Sequence, residues 1–301
     1  MTELLGTVLE RDGASYRVAT DRGEVRAVLR GKAKRDTGKV VVGDRVRLDT
    51  DEGGGLHGIV GLEPRRTLLE RRVPEGRGTR PIAANVDQVL VVTATADPAP
   101  LPQLIDRLLV VAEANEIPAG VVVNKVDLDP GIALRDRLRR AGYQVHPTSV
   151  KSGEGLDDLR RTLAGKISVV TGPSGAGKSS LLNAVQPGLS LRTGEISAKV
   201  RRGRNTTVGA VMLPLESGGY LVDTPGFSEV GVWGVDPAEL DSCFPEFRPW
   251  LAQCRYADCR HRSEPGCRIR EAVERGDADP SRYESYLTLL DELESAPEDW
   301  E

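Results

Sequence analysis

Two short motifs stand in an inverted order, and that order constrains the fold of the 301-residue chain more than any other feature. Asn124-Lys-Val-Asp127 can read a guanine base. It precedes Gly172-Pro-Ser-Gly-Ala-Gly-Lys-Ser179, which can hold the phosphates of a nucleotide. In an ordinary small nucleotide-binding switch domain the phosphate loop comes first. The inversion predicts an α/β domain whose chain was opened at a new point and rejoined, with distant strands converging on one crevice.

The phosphate loop fits G-x-x-x-x-G-K-[ST], and its flanks give the context that pattern needs. Lys166-Ile-Ser-Val-Val-Thr171 predicts a buried strand, and Ser179–Val185 the start of a helix. Glycines let backbone N–H groups turn toward the oxygens, and the helix N-terminus adds partial positive charge. Gly172, Pro173, Ser174, Gly175, Ala176 and Gly177 form the cradle. Lys178 is expected at the β- and γ-phosphates, and the Ser179 hydroxyl on Mg²⁺.

Ala119-Gly-Val-Val-Val123 predicts a strand that brings Asn124 to its carboxyl end, where ligands of open parallel sheets bind. The Asp127 carboxylate can accept from guanine N1–H and the 2-amino group. Adenine lacks that donor pair, so Asp127 selects guanine. Asn124 can bond the opposite edge of the base, and the Lys125 stem can lie along the ring. Asn and Asp also form turns, but a phosphate loop in the same chain favours base reading. Thr148-Ser-Val-Lys151 follows another predicted strand, Gln144–Pro147, and suits a loop packed on the base through Ser149 and the backbone at Val150. An ordinary polar turn is the competing reading there.

Gly219-Tyr-Leu-Val-Asp-Thr-Pro-Gly226 predicts a strand that delivers Asp223 to hold Mg²⁺ through water, with the Gly226 N–H at the γ-phosphate. Between these motifs, Lys199–Val208 carries Thr206 and Thr207, one of which is the natural second hydroxyl on Mg²⁺.

The chain has four cysteines and three histidines. Cys254, Cys259, His261 and Cys267 fall close together with turn-forming residues between them, and Cys₃His is a closed, tetrahedral Zn²⁺ set. No signal peptide is visible and cysteine is otherwise scarce, so a reducing, cytoplasmic location is expected rather than disulfides. Cys243 lies outside the cluster and reads as a small apolar filler. His57 and His146 receive no role. No apolar run is long enough to span a bilayer, so no membrane association is expected.

Residues 1–65 predict five short strands, Leu4–Leu9, Ser15–Ala19, Val25–Leu29, Arg45–Leu48 and Leu56–Leu62, and hence a small OB-type β-barrel. Such barrels bind nucleic acid or protein. Residues 66–84 read as a basic linker rich in arginine (Arg66, Arg71, Arg72, Arg77, Arg80). Residues 85–232 hold the nucleotide domain, with helix faces at Leu101, Leu104, Ile105, Leu108 and Ala112, then at Leu134, Leu138 and Ala141. Residues 233–301 form a helical zinc-binding domain. Its last helix has Asp279 as N-cap, Pro280 at the first position, and a stripe of Tyr283, Tyr286, Leu287, Leu290 and Leu293. The net charge of −4 does not itself suggest a nucleic-acid binder, but the basic runs at 65–80 and 199–204 do.

Barrel, base reader, phosphate loop, Asp-Thr-Pro-Gly and Cys-x4-Cys-x-His-x5-Cys, in that order, resemble the ribosome small-subunit-dependent GTPase A (RsgA) family over essentially the whole chain. The resemblance implies a circularly permuted P-loop GTPase that binds the small (30S) ribosomal subunit and its 16S rRNA. It would act late in subunit maturation and hydrolyse GTP to GDP and phosphate, slowly alone and faster with the subunit. It further implies guanine contacts at Asn124, Lys125 and Asp127, a phosphate site extending to Ser180, and one structural Zn²⁺ on Cys254, Cys259, His261 and Cys267. A monomer is expected. The chain departs from the family where Gly-Arg-His-Thr-Thr-Thr is common: here the run is Gly203-Arg-Asn-Thr-Thr-Val208. Asn205 cannot take a proton at neutral pH, although it can orient water. Phe227, after Gly226, cannot position water at all. Lys178, Thr206, Thr207 and Asn205 are therefore the catalytic candidates, with no intrinsic general base.

Overall fold

The computed structural model describes residues 4–30, 39–49, 56–72, 79–189, 210–224 and 235–295. Five strands, β1 (Leu4–Asp12), β2 (Ser15–Thr20), β3 (Gly23–Leu29), β4 (Arg45–Asp49) and β5 (Leu56–Leu62), pair in the order β1-β2-β3-β5-β4 and close with β4 back on β1. This is the OB-type barrel expected. Alternation explains it, since Tyr16 and Val18 of β2 and Val46 and Leu48 of β4 point inward with Val8 and Ile59 and are buried.

The stretch expected as a plain linker contains an antiparallel pair, β6 (Leu68–Arg72) and β7 (Thr79–Ala84). Leu69 and Ala83 are fully buried, which offsets the arginines and glycines that made the run look unstructured. The barrel is fastened at this point. The fully buried Asp44 accepts from Arg65 Nε at 2.7 Å and Nη2 at 2.9 Å. Asn85 Nδ2 donates to the Gly43 carbonyl at 2.9 Å.

The central sheet runs β10-β9-β8-β11-β13-β12, and β12 continues onto β1 of the barrel through Glu10 and Val211. Its strands are β8 (Gln88–Ala94), β9 (Ala119–Asn124), β10 (Gln144–Pro147), β11 (Ile167–Thr171), β12 (Val211–Pro214) and β13 (Tyr220–Asp223). All pairings from β10 to β13 are parallel. Every residue of β8 is buried, as a strand covered on both faces requires. The chain leaves β8 outward through β9 and β10, then returns to place β11 on the other side of β8. That reversal is a topological switch point, and ligands of such sheets bind in the crevice at its carboxyl ends.

Among the described residues the α-helices are α1 (Pro102–Ala114), α2 (Ile132–Arg140), α3 (Leu156–Leu163), α4 (Lys178–Val185), α5 (Arg268–Arg275) and α6 (Pro280–Ser295). Leu101, expected on the first helix face, precedes α1 and is exposed; Ile105, Leu108, Leu109 and Ala112 are the buried face. The C-terminal part is less helical than expected before Arg268, with only 3₁₀ turns at Leu240–Cys243 and Leu251–Gln253 among the described residues. Asp279 does cap α6: its Oδ1 accepts from the Ser281 N–H at 3.0 Å.

The fully buried side of α6 is Arg282, Ser285, Tyr286, Leu289 and Leu290, while Tyr283, Leu287 and Leu293 are only partly buried. Arg282 is completely buried in ion pairs. It donates to Asp106 of α1 at 2.8 Å and takes both oxygens of Glu246. Asp106 also accepts from Arg137 of α2 at 2.5 Å and from Ser285 at 2.7 Å. The rings of Phe244 and Tyr143 face the Arg282 guanidinium at 4.9 and 5.3 Å. The C-terminal part thus shares one polar knot and one hydrophobic core with α1.

Candidate nucleotide and metal sites

Two loops emerge at the switch point, one after β8 and one after β11, and the second is the phosphate loop. Gly172 begins it with φ +139°, so close to β8 that an added Cβ would lie 2.0 Å from the Val92 carbonyl oxygen. Only glycine meets both conditions. Lys178 opens α4 and donates to the Gly172 and Pro173 carbonyls at 2.6 and 2.9 Å. Burial lowers its pKa. Ala176 is buried, whereas Ser174, Gly175 and Ser180 are exposed and Ser179 is half-buried.

The base-reading quartet leaves β9 beside this loop. Asn124, almost fully buried, donates through Nδ2 to the Ala176 carbonyl at 3.0 Å and accepts at Oδ1 from Thr148 at 3.2 Å. A Cβ on Gly177 would lie 2.5 Å from Asn124 Nδ2. An amide carries two N–H donors, and Asn124 uses one of them to brace the loops. Thr148 N–H bonds Val123 O at 2.8 Å, which sets the next loop alongside. There Ser149 Oγ donates to Asp127 Oδ1 at 2.6 Å and accepts from the Ser152 N–H at 3.1 Å. Ser149 is buried, and Asp127 and Val150 are exposed. Asn124, Lys125, Asp127 and Ser149 therefore come together next to Gly175–Gly177.

Asp223 ends β13 at the same carboxyl edge, two strands from β8. Asp223 is exposed at its strand end, yet nearby protein removes enough water from its carboxyl to raise it above the usual range. Asn205, Thr206, Thr207, Gly226 and Phe227 lie outside the described residues.

The four residues read as zinc ligands do meet. One donor atom from each of Cys254, Cys259, His261 and Cys267 lies within 4.8 Å of all the others. His261 Nδ1 sits 3.4 Å from Cys267 Sγ and 3.6 Å from Cys254 Sγ. Its Nε2 faces Asp241 Oδ2 at 3.1 Å, a carboxylate that orients the ring and fixes the tautomer. Sequence reading missed Asp241; its only signal is an acidic residue upstream of the cluster. Burial pushes the Cys259 thiol up to about 12 and also raises Cys267, so thiolates here need a cation. Donor set, spacing and Asp241 all fit a tetrahedral metal ion. Cys243 is buried outside the cluster, as expected of a filler. Among the described residues no helix is long and apolar enough to cross a membrane.

The RsgA GTPase family model matches residues 62–233. A relative from Gemmatimonas aurantiaca, named small ribosomal subunit biogenesis GTPase RsgA, is 49% identical, covering 97% of this chain and 98% of its own. One of the same name from Moorella thermoacetica is 43% identical over 96% and 97% of the two chains. The crystal structure of YjeQ from Thermotoga maritima superposes with a TM-score of 0.83 at 37% identity, covering 98% of this chain and 100% of that one. YloQ, described as a circularly permuted GTPase, matches with a TM-score of 0.79 at 27% identity over 99% and 97%. A permuted sheet order, base reader and phosphate loop bonded to each other, and these likenesses lead to one conclusion: the chain belongs to the RsgA GTPase family.

Proposed function

We propose that this GTP hydrolase binds the small (30S) ribosomal subunit through its 16S rRNA and acts late in subunit maturation, with hydrolysis stimulated by the subunit. The observation that carries the reading is the bond between Asn124 and Ala176, which makes one site of the base reader and phosphate loop in a chain whose relatives are named for small-subunit biogenesis. The chain acts as a monomer in the cytoplasm.

Asp127, oriented by Ser149, accepts from guanine, and the Lys125 stem flanks the ring. Backbone N–H groups of the loop from Gly172 to Ser180, Pro173 excepted, and the Lys178 ammonium hold the phosphates. Ser179, Asp223 and one of Thr206 or Thr207 hold Mg²⁺, with the Gly226 N–H at the γ-phosphate. Bound Mg²⁺ neutralises charge that develops on the phosphate oxygens. Asn205 orients water without accepting its proton, so turnover is slow without the subunit. Zn²⁺ on Cys254, Cys259, His261 and Cys267 stabilises the terminal domain.

The barrel supports an RNA-facing role. Leu5 is exposed on β1 opposite Arg47 of β4, which pairs with Glu63 at 3.4 Å, and Arg45 is exposed two residues before it, so an apolar and a basic group share the outer wall. Co-sedimentation of the full chain and a non-hydrolysable GTP analogue with separated subunits tests the assignment. Pelleting with the small subunit and not the large one is expected; pelleting with the large subunit alone contradicts it.

A further inference from the structure

The loop after β8 leaves the sheet at the switch point, and neither the base reader nor the phosphate loop accounts for what it does. Its Thr95 holds two successive carbonyls of the base-reading turn: the N–H donates to Asn124 O at 3.0 Å and Oγ1 to Lys125 O at 2.8 Å. Lys125 is left-handed, with φ +63°, a conformation that side-chain-bearing residues keep only when neighbours enforce it. The Lys125 ammonium then reaches forward to the Asp97 carbonyl, and Asp97 is itself left-handed with φ +45°. Next to it, Pro98 Cδ stands 3.0 Å from where a Cβ on Gly175 would lie. On the way, Lys125 Cε passes 4.0 Å from the corresponding point on Gly177. Residues 95–98 thus touch both halves of the nucleotide crevice.

We propose that Thr95 and the Asp97 carbonyl are positioning groups for Lys125, holding its stem as one wall of the purine slot. Thr95 fixes the backbone from which the side chain starts, and Asp97 fixes where it ends. Thr95 acts through Lys125 on the base and not on the phosphates. This rests on the guanine-binding reading of Asn124–Asp127.

Titration of the full-length protein with fluorescent mant-GDP, with pyrophosphate as competitor, separates the possibilities. Thr95→Val keeps the shape and loses the Oγ1 donor. It is expected to weaken mant-GDP about five-fold, the value of one neutral hydrogen bond, with pyrophosphate affinity unchanged. Thr95→Ser, which keeps the hydroxyl, restores binding. In a Lys125→Ala background, which has no stem to place, the Thr95→Val effect disappears. Unchanged mant-GDP binding by Thr95→Val, equal losses for mant-GDP and pyrophosphate, or a persistent effect in Lys125→Ala would each overturn the strap. Wild-type protein that binds mant-ADP as well as mant-GDP would overturn the guanine reading itself.

Discussion

Asn124 bonds Ala176 at 3.0 Å, joining residues that lie on neighbouring loops of the crevice but far apart in the chain. Both ends of that bond are buried, as is the Thr148 hydroxyl that donates to the other side of the amide. Asn124→Ala would strand both partners. An unsatisfied buried group costs about 1–3 kcal/mol, so GDP affinity should fall roughly ten- to a hundred-fold. Isothermal titration calorimetry reads it directly; an unchanged dissociation constant would mean that the brace is dispensable.

Asp127 is exposed and oriented by Ser149 Oγ at 2.6 Å. Asp127→Asn replaces one acceptor oxygen with a donor and should shift preference from guanine toward xanthine nucleotides. Competition between GTP and XTP for the variant measures it. Ser149→Ala should keep the base preference and weaken affinity about five-fold, the worth of one hydrogen bond.

The ion knot at Arg282 makes a different prediction. Arg282→Met removes the cation shared by Asp106 and Glu246, both buried. Breaking a buried pair on one side typically costs about 3–5 kcal/mol. Urea unfolding should show that loss. A pivot of the C-terminal part away from α1 must break these pairs or carry α1 and α2 with it.

Acid should weaken α6 through its cap. Burial raises the Asp279 carboxyl, but the Ser281 hydroxyl, the Arg282 N–H and the Arg137 charge outweigh it and hold its pKa below the usual value. A group depressed in the folded state contributes fully above its unfolded pKa and loses that contribution as pH falls through the folded one. Asp279→Ala should therefore cost about 1 kcal/mol at neutral pH, with the difference from wild type closing below about pH 4. Thermal melts of both proteins across that range check the sign.

Metal removal should unfold the segment that the four ligands tie together. Asp241→Asn leaves the ligands intact but loses the carboxylate on His261 Nε2, and such partners are worth about 10- to 100-fold in metal affinity. Zinc release to a colorimetric chelator should be faster for the variant, with one ion per wild-type chain.

What the sequence disclosed was chemistry held within short spans. Gly172–Ser179, Asn124–Asp127 and the Cys₃His run each encode their contacts in spacing, and the β-branched runs of β8, β9 and β11 announce buried strands. What it hid was pairing between distant polar groups. Arg282 stands four residues before Tyr286 and so falls on the buried stripe of α6, yet an arginine there reads as solvated until Asp106 and Glu246 are seen to meet it. The β6–β7 hairpin was masked by arginine and glycine, although Leu69 and Ala83 anchor it. Thr95 gave no signal, because its two bonds go to backbone carbonyls that any sequence would offer.

Single-turnover phosphate release from GTP, with and without purified small ribosomal subunits, tests the central claim most directly. Slow release by the protein alone, at least ten-fold acceleration by the small subunit and not by the large one, and no release by Lys178→Ala are the predicted results. Release that the small subunit leaves unchanged, or that survives the loss of Lys178, would contradict the account.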